Sequence, residues 1–93
     1  MKKYKARTGV ILGDICTEHI LIAAKEARDY CPYITELNDI GAFIYKHLED
    51  GYTDEQIIEE IQKEYEFESD QNISNSIIGF IEELKTMGYI YEE

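Results

Sequence analysis

The sequence predicts a single small α+β domain, in which a three-stranded antiparallel sheet is followed by a three-helix bundle. Short β-branched runs fill the first half, which is typical of strands. In the second half, apolar residues recur at helical spacing in three stretches separated by capping signals. The chain has 93 residues, of which 44% are hydrophobic, enough for one core. We expect a flexible, basic start over residues 1–8 and one domain over residues 9–93.

The predicted strands lie in residues 9–37. Apolar runs occupy residues 10–12, 15–17 and 19–23, and the first is closed by Gly13 and Asp14. A charged connection follows, and Pro32 disfavours helix in the residue before it. Residues 33–37 have strand composition, with Tyr33, Thr35 and Leu37 on one face and Ile34 and Glu36 on the other.

The first helix is predicted to begin after a cap at Asn38 or Asp39 and to end near Gly51. Its apolar stripe consists of Ile40, Phe43, Ile44, His47 and Leu48. Because His47 falls on that stripe, we interpret it as a partly buried core residue rather than a ligand.

The second helix is predicted from a capping box, Thr53 to Gln56. Its apolar positions are Ile57, Ile58, Ile61 and Tyr65. The remaining positions are mostly acidic. A catalytic pair of carboxylates needs two different environments, so we interpret these acids as a solvated face.

The third helix is predicted to follow a short connection at residues 66–68, with a cap at Ser69 or Asp70 and an end at Gly88. Residues 89–91 then return as a short strand. The apolar set is wider than one core-facing stripe needs: Ile73, Ile77, Ile78, Phe80, Ile81, Leu84 and Met87. Either the helix faces the core on one side and something else on the other, or it is buried between two elements.

The charge is unevenly distributed along the chain. Residues 1–48 hold six acids and seven bases, whereas residues 49–93 hold fourteen acids and two lysines. An acidic half repels phosphate and anionic membrane surfaces, so we expect neither nucleic acid nor membrane as a partner. No apolar run approaches the length of a membrane span or a secretion signal, which predicts a cytoplasmic protein.

The two cysteines do not form a disulfide framework. We expect Cys16 to be a small core residue and Cys31 to lie in a turn, both as reduced thiols. No CxxC or HxxxH spacing occurs, which argues against a metal site. No cofactor is expected. The polar groups that could catalyse a reaction are scattered, so a small enzyme is the weakest of the functions we consider.

The predicted order of strands and helices is of the winged-helix type, and many such domains bind DNA. A transcription regulator is therefore the alternative function. The third helix argues against it, because a reader of the major groove needs cations there.

Several features in their order and spacing carry a more specific resemblance. They are Leu37-Asn38 before "GAFIY", then "LEDG", "TDEQIIEEI" and "ELKTMGYI". The run "HILIAAKEARDYCPYITELNDIGAFIYKHLEDGYTDEQIIEEIQKEYEF", followed by "IIGFIEELKTMGYI", resembles the PqqD-like family (coenzyme PQQ synthesis protein D). The resemblance covers residues 9–91.

The resemblance implies a peptide chaperone without enzymatic activity, a recognition element for ribosomally synthesised, modified peptides. In the family, the leader segment of a precursor peptide adds as a strand to the third strand and packs against the third helix. The domain delivers it to a modifying enzyme, often a radical S-adenosylmethionine enzyme. The matching positions here are Tyr33, Ile34, Thr35, Glu36 and Leu37 on the strand, and Ile73, Ile77, Phe80 and Leu84 on the helix. Phe80→Asp or Thr35→Pro is expected to abolish binding while the fold survives.

Overall fold

The computed structural model describes residues 2–65 and 70–93, and it describes the side chains of residues 2–65 and 73–93. Five strands and three α-helices follow in chain order: β1 (Tyr4–Ala6), β2 (Val10–Ile15), β3 (Glu18–Ala23), β4 (Ile34–Leu37), α1 (Asp39–Glu49), α2 (Asp54–Glu64), α3 (Asp70–Met87) and β5 (Ile90–Glu92). A short 3₁₀ helix (Lys25–Asp29) connects β3 to β4. The predicted class, a small three-stranded antiparallel sheet followed by three helices, is confirmed.

The three-stranded sheet has the order β2-β3-β4 and is antiparallel throughout. Its register pairs Ile11 with Ile22 and Ile22 with Ile34, so one residue from each strand lies in a single row across the sheet. The tight β2–β3 turn contains Cys16, which is exposed and has a φ of 57°. The prediction that Cys16 belongs to the core is therefore wrong, because the apolar run around it is interrupted by a hairpin turn.

The N-terminus differs from the flexible segment that the sequence predicts. Tyr4–Ala6 forms β1, which pairs antiparallel with β5 at the other end of the chain. Tyr4 is only 3% exposed and belongs to the core. The reason is aromatic burial: the Tyr4 ring covers apolar surface, and the strand pairing satisfies the backbone beside it.

The helix caps follow the sequence signals where the structure describes them. Asn38 Oδ1 accepts a hydrogen bond from Gly41 N at 2.7 Å and begins α1. The Thr53 hydroxyl and the Gln56 side chain form both bonds of the predicted capping box on α2. The predicted cap of α3 at Ser69 or Asp70, like the 66–68 connection, lies outside the described residues and side chains.

The core lies between one face of the three-stranded sheet and the helices. Its largest fully buried side chains are Leu21, Ile44, Tyr45, Leu48, Ile57, Ile61, Ile81, Leu84, Tyr89 and Ile90. Burying one such side chain stabilises the fold by roughly 1.5–3 kcal/mol. Leu37 of β4 belongs to the same core cluster as Ile77 and Ile81 of α3, so the core fixes the two elements relative to each other. None of the described helices is long and apolar enough to cross a membrane.

Candidate functional site

The outer edge of β4 is one of the two edges of the three-stranded sheet, and β2 forms the other. Ala23 N donates a hydrogen bond to Tyr33 O at 2.8 Å, across the register that pairs β3 with β4. Because an antiparallel ladder alternates, Thr35 and Leu37 also direct their backbone groups toward β3. Ile34 and Glu36 direct theirs away from it. The edge therefore offers the N–H and C=O groups of two residues to an additional strand.

The start of this edge is held by Tyr89, which follows α3. Its hydroxyl donates to Pro32 O at 2.7 Å and accepts from the Thr35 hydroxyl at 2.6 Å. The Tyr89 side chain is fully buried, and burial raises its pKa. Since Pro32 has no N–H and its carbonyl is already bonded, the available edge begins at Ile34.

An apolar pocket of about 200 Å³ lies at the other end of β4, between α1 and α3. It is lined by Asn38, Ile40, Gly41, Ile44, Ser76, Ile77 and Phe80. A Cβ atom built on Gly41 would lie 3.1 Å from Phe80 Cζ and 3.5 Å from Leu37 Cβ. The absence of a side chain at Gly41 therefore lets Phe80 of α3 approach the end of β4.

The predicted strand residues surround the open edge. Ile34 and Glu36 are exposed, Thr35 is half-buried and Leu37 is buried against the core. Tyr33 precedes β4 and is 56% exposed, with the Arg28 guanidinium 4.6 Å above its ring. The predicted alternation of faces therefore holds from Ile34 to Leu37, whereas Tyr33 lies outside it.

The predicted helix residues divide into two groups. Ile77 and Phe80 line the pocket, and Ile73 is partly buried beside the core. Leu84 has no exposed surface, so its place in a peptide groove is a prediction that the structure contradicts. The physical reason is the helix rotation: Leu84 follows Ile77 and Ile81 along the buried face of α3.

Gly41 and Tyr89 are site residues that sequence reasoning missed. A glycine near the start of an amphipathic helix costs helix stability, and such a cost signals a close packing contact. The glycine at position 41 of the predicted helix could therefore have been identified from the sequence as a packing contact. Nothing in the sequence pattern places the Tyr89 hydroxyl beside β4, because the two segments are far apart in the chain.

A charged cluster lies beside the end of β4, where His19 pairs in register with Leu37. The two ring nitrogens of His19 contact Asp14 Oδ1 at 2.5 Å and Asp39 Oδ1 at 2.8 Å. Both nitrogens can donate only in the imidazolium form. Two hydrogen bonds raise the pKa of His19: the one to Asp14 has the larger effect, and the one to Asp39 the smaller. The cluster links the β2–β3 hairpin to the start of α1.

Two further reactive groups, His47 and Cys31, are engaged in structural contacts. His47 Nδ1 donates to Phe43 O at 2.8 Å and its ring stacks on Phe43, which confirms the predicted core role. Cys31 is buried, its Sγ donates to Ala27 O at 3.0 Å, and burial raises its pKa. In the part of the chain that the structure describes, no three His, Cys, Asp or Glu side chains are grouped to hold a metal ion.

These features define a small winged-helix-like α+β domain with an open strand edge beside an apolar pocket. The sequence profile of the family described as "Coenzyme PQQ synthesis protein D (PqqD)" matches residues 18–90. The chain belongs to this family. No protein of curated function matches the sequence.

Two solved structures share the fold. One is described as "TbiB1 in Complex with the TbiA(beta) Leader Peptide"; its TM-score is 0.75 at 21% identity, covering 92% of this chain and 93% of that one. The other is described as "Lasso peptide synthetase B1 complexed with the leader peptide"; its TM-score is 0.76 at 19% identity, covering 95% and 96%. At this level of identity the similarity establishes the fold.

Proposed function

We propose that the chain is a peptide chaperone without catalytic activity, which binds the leader segment of a ribosomally made precursor peptide and presents it to a modifying enzyme. The observation that carries the proposal is the open edge of β4, where Ile34 and Glu36 direct their backbone groups away from the sheet. Family membership and the two related leader-peptide complexes support it.

The edge supplies affinity with little demand on peptide sequence. An extended segment can form up to about four backbone hydrogen bonds with Ile34 and Glu36, each worth roughly 0.5–1.5 kcal/mol net. Exposed Ile34 adds an apolar cross-strand contact on one face of the added strand. The bound segment then becomes the fourth strand of the sheet.

The pocket supplies selectivity. It holds about 200 Å³, has Phe80 and Ile77 on one wall, and lies where the end of β4 meets α1. That volume accommodates one apolar side chain of medium size. We therefore infer that the preferred peptide carries an aliphatic residue that reaches this pocket while its backbone pairs with β4.

The second partner in the proposal is a modifying enzyme, such as a radical S-adenosylmethionine enzyme. A leader held by the chaperone raises the concentration of the attached core peptide near the enzyme to the order of millimolar for a short flexible tether. A domain without reactive groups at its site can promote a reaction in this way. The cytoplasm is the proposed compartment.

The regulator alternative finds no support in the charges of α3. Lys85 lies 3.8 Å from Glu82 and 3.4 Å from Glu92, so its charge is already paired. Glu82 and Glu83 are the neighbouring charged side chains on the helix. Such a surface repels a phosphate backbone.

Selection from a display library of fragments of the source genome tests the proposal. Purified chain is the bait, and retained peptides are synthesised and titrated by calorimetry against the wild type, Phe80→Ala and Ile78→Ala. Both positions lie on α3, but Phe80 lines the pocket and Ile78 is exposed.

We expect an extended apolar segment from a short precursor to bind wild type and Ile78→Ala equally, and Phe80→Ala about tenfold or more weakly. The proposal is contradicted if the folded chain retains no peptide, or if Phe80→Ala, shown to be folded, binds as tightly as the wild type.

A further inference from the structure

The face of the three-stranded sheet that points away from the helices is apolar. Ile11, Ile22 and Ile34 form one row across the three strands. Ile11 is 54% exposed and Ile34 is 55% exposed, and Ile22 between them is partly buried. On β2 the same face continues to Ile15, which is 57% exposed. We call this surface, with Ile20 at its centre, the isoleucine face.

Ile20 shows that the isoleucine face is a packed cluster rather than scattered side chains. It lies over Gly13, where a Cβ atom would be 3.7 Å from Ile20 Cγ1. Ile20 is only 8% exposed, yet it is not part of the main core cluster. Its neighbours on the outer face therefore cover it. Contiguous exposed apolar surface of this kind marks an interaction site more often than isolated residues do.

The size of the isoleucine face argues against a stable dimer of this chain. Two strands of six residues and one strand of four, paired side by side, give a face on the order of 250 Å². A stable interface buries about 800 Å² on each partner. Two copies would also bring together chains that each carry a net charge of −11. A face this small fits a weak, transient contact with a different protein.

The charged side chains at the border of the isoleucine face indicate which charged groups the partner protein must carry. Glu18 pairs in register with Ile15, and Glu36 pairs with Ile20, so both carboxylates lie on the isoleucine face. Both residues are exposed, and neither forms an ion pair among the residues that the structure describes. A partner surface with an apolar centre and Lys or Arg at its border complements this arrangement.

We propose that the isoleucine face is the docking surface for the peptide-modifying enzyme, through an apolar patch with a cationic border. This inference rests on the proposed function. A leader peptide added to β4 places its own side chains beside Ile34 and widens the same face by one strand. The enzyme therefore binds the peptide-loaded chain more tightly than the free chain, and the coupling is reciprocal.

The test compares the wild type, the double variant Ile11→Thr/Ile15→Thr and the control Ile78→Thr. Threonine keeps the β-branched shape that strands favour, and Ile78 is a comparably exposed isoleucine on α3. Each chain is first shown to fold and to bind the display-selected peptide. Proteins captured from a lysate of the source organism are then identified by mass spectrometry, and the captured enzyme is purified and titrated with and without the peptide.

The expected result is a peptide-modifying enzyme whose Kd is at least about tenfold weaker for the double variant than for Ile78→Thr. Peptide tightens its binding to the wild type, and added salt weakens it. The inference is overturned if the enzyme binds all three chains with equal affinity. It is also overturned if the double variant captures the same proteins from the lysate as the wild type. A dimer in sedimentation that the double variant abolishes overturns it in favour of a second copy. Failure of the peptide to bind the wild type is the separate failure of the proposed function.

Discussion

The hydroxyl groups of Tyr89 and Thr35 lie 2.6 Å apart, across a sequence separation of 54 residues. The same Tyr89 hydroxyl donates to Pro32 O at 2.7 Å. Through this pair, the segment after α3 fixes the start of the open edge of β4. The position of the edge relative to α3 is therefore determined by a buried polar contact as well as by the apolar core.

Removing that hydroxyl is expected to weaken both the fold and peptide binding. Tyr89→Phe leaves Pro32 O and the Thr35 hydroxyl without their partner, which costs about 1–3 kcal/mol of unfolding free energy. Peptide affinity falls because the edge is less well held. Denaturant unfolding and peptide titration measure the two effects. An unchanged unfolding midpoint would show that the contact contributes nothing.

Tyr45 provides a matched control with the opposite expectation. Its side chain is fully buried, and within the described structure its hydroxyl has no hydrogen-bond partner. Burying such a group is unfavourable, so Tyr45→Phe raises the unfolding free energy by about 1 kcal/mol. The same denaturation experiment checks it. A clear loss of stability in Tyr45→Phe would mean that the hydroxyl is satisfied in solution.

Two glycine substitutions separate pocket geometry from helix propensity. Gly41→Ala adds a Cβ atom 3.1 Å from Phe80 Cζ, so Phe80 must shift and the pocket changes shape. We expect peptide affinity to fall about three- to tenfold. Gly79 in α3 has open space around it, so Gly79→Ala stabilises the helix by roughly 0.5–1 kcal/mol. Gly79→Ala is expected to leave peptide affinity unchanged. Equal peptide affinities of Gly41→Ala and Gly79→Ala would show that Gly41 does not belong to the binding site.

Proline substitutions distinguish the two sides of β4. Thr35 directs its N–H toward β3, so we expect Thr35→Pro to break the sheet rather than to leave the fold intact, as the sequence alone suggested. Glu36→Pro removes an outward N–H only. We expect it to keep the fold and weaken peptide binding about tenfold, whereas Glu36→Ala keeps the N–H and binds normally. Circular dichroism and calorimetry check both, and equal affinity of the two Glu36 variants would contradict strand addition.

The His19 cluster predicts a pH dependence of stability. The pKa of His19 is raised in the folded state above its ordinary value of 6.5 by its bonds to Asp14 and Asp39. Its contribution is therefore fully present below that ordinary value and is lost as the pH rises through the folded pKa. As the pH rises through this range, the unfolding midpoint of the wild type should fall relative to the unfolding midpoint of His19→Gln. Parallel curves for the two proteins would show that the cluster is not formed in solution.

Local patterns predicted much of this molecule. The capping box at Thr53, the alternation from Ile34 to Glu36 and the helical stripe of α1 are each encoded by neighbouring residues. These features depend on periods of two and 3.6 residues and on hydrogen bonds that span three residues. They could therefore be derived before any tertiary contact was known.

The features that the sequence did not reveal depend on contacts between distant segments. Tyr4 is buried in β1, which is held in place by pairing with β5 at the other end of the chain. Leu84 and Phe80 lie on the same apolar helix, and only packing decides that one is buried and the other lines the pocket. Cys16 lies within an apolar run, yet the hairpin turn exposes it.

The most direct test of the account is backbone amide hydrogen exchange, followed by NMR, with and without the display-selected peptide. The register predicts that Thr35 and Leu37 are protected in the free chain, because their N–H groups bond to β3. Ile34 and Glu36 exchange rapidly in the free chain and become protected when the peptide adds to the edge. If peptide binds while Ile34 and Glu36 continue to exchange rapidly, the peptide is held elsewhere and strand addition at β4 is contradicted.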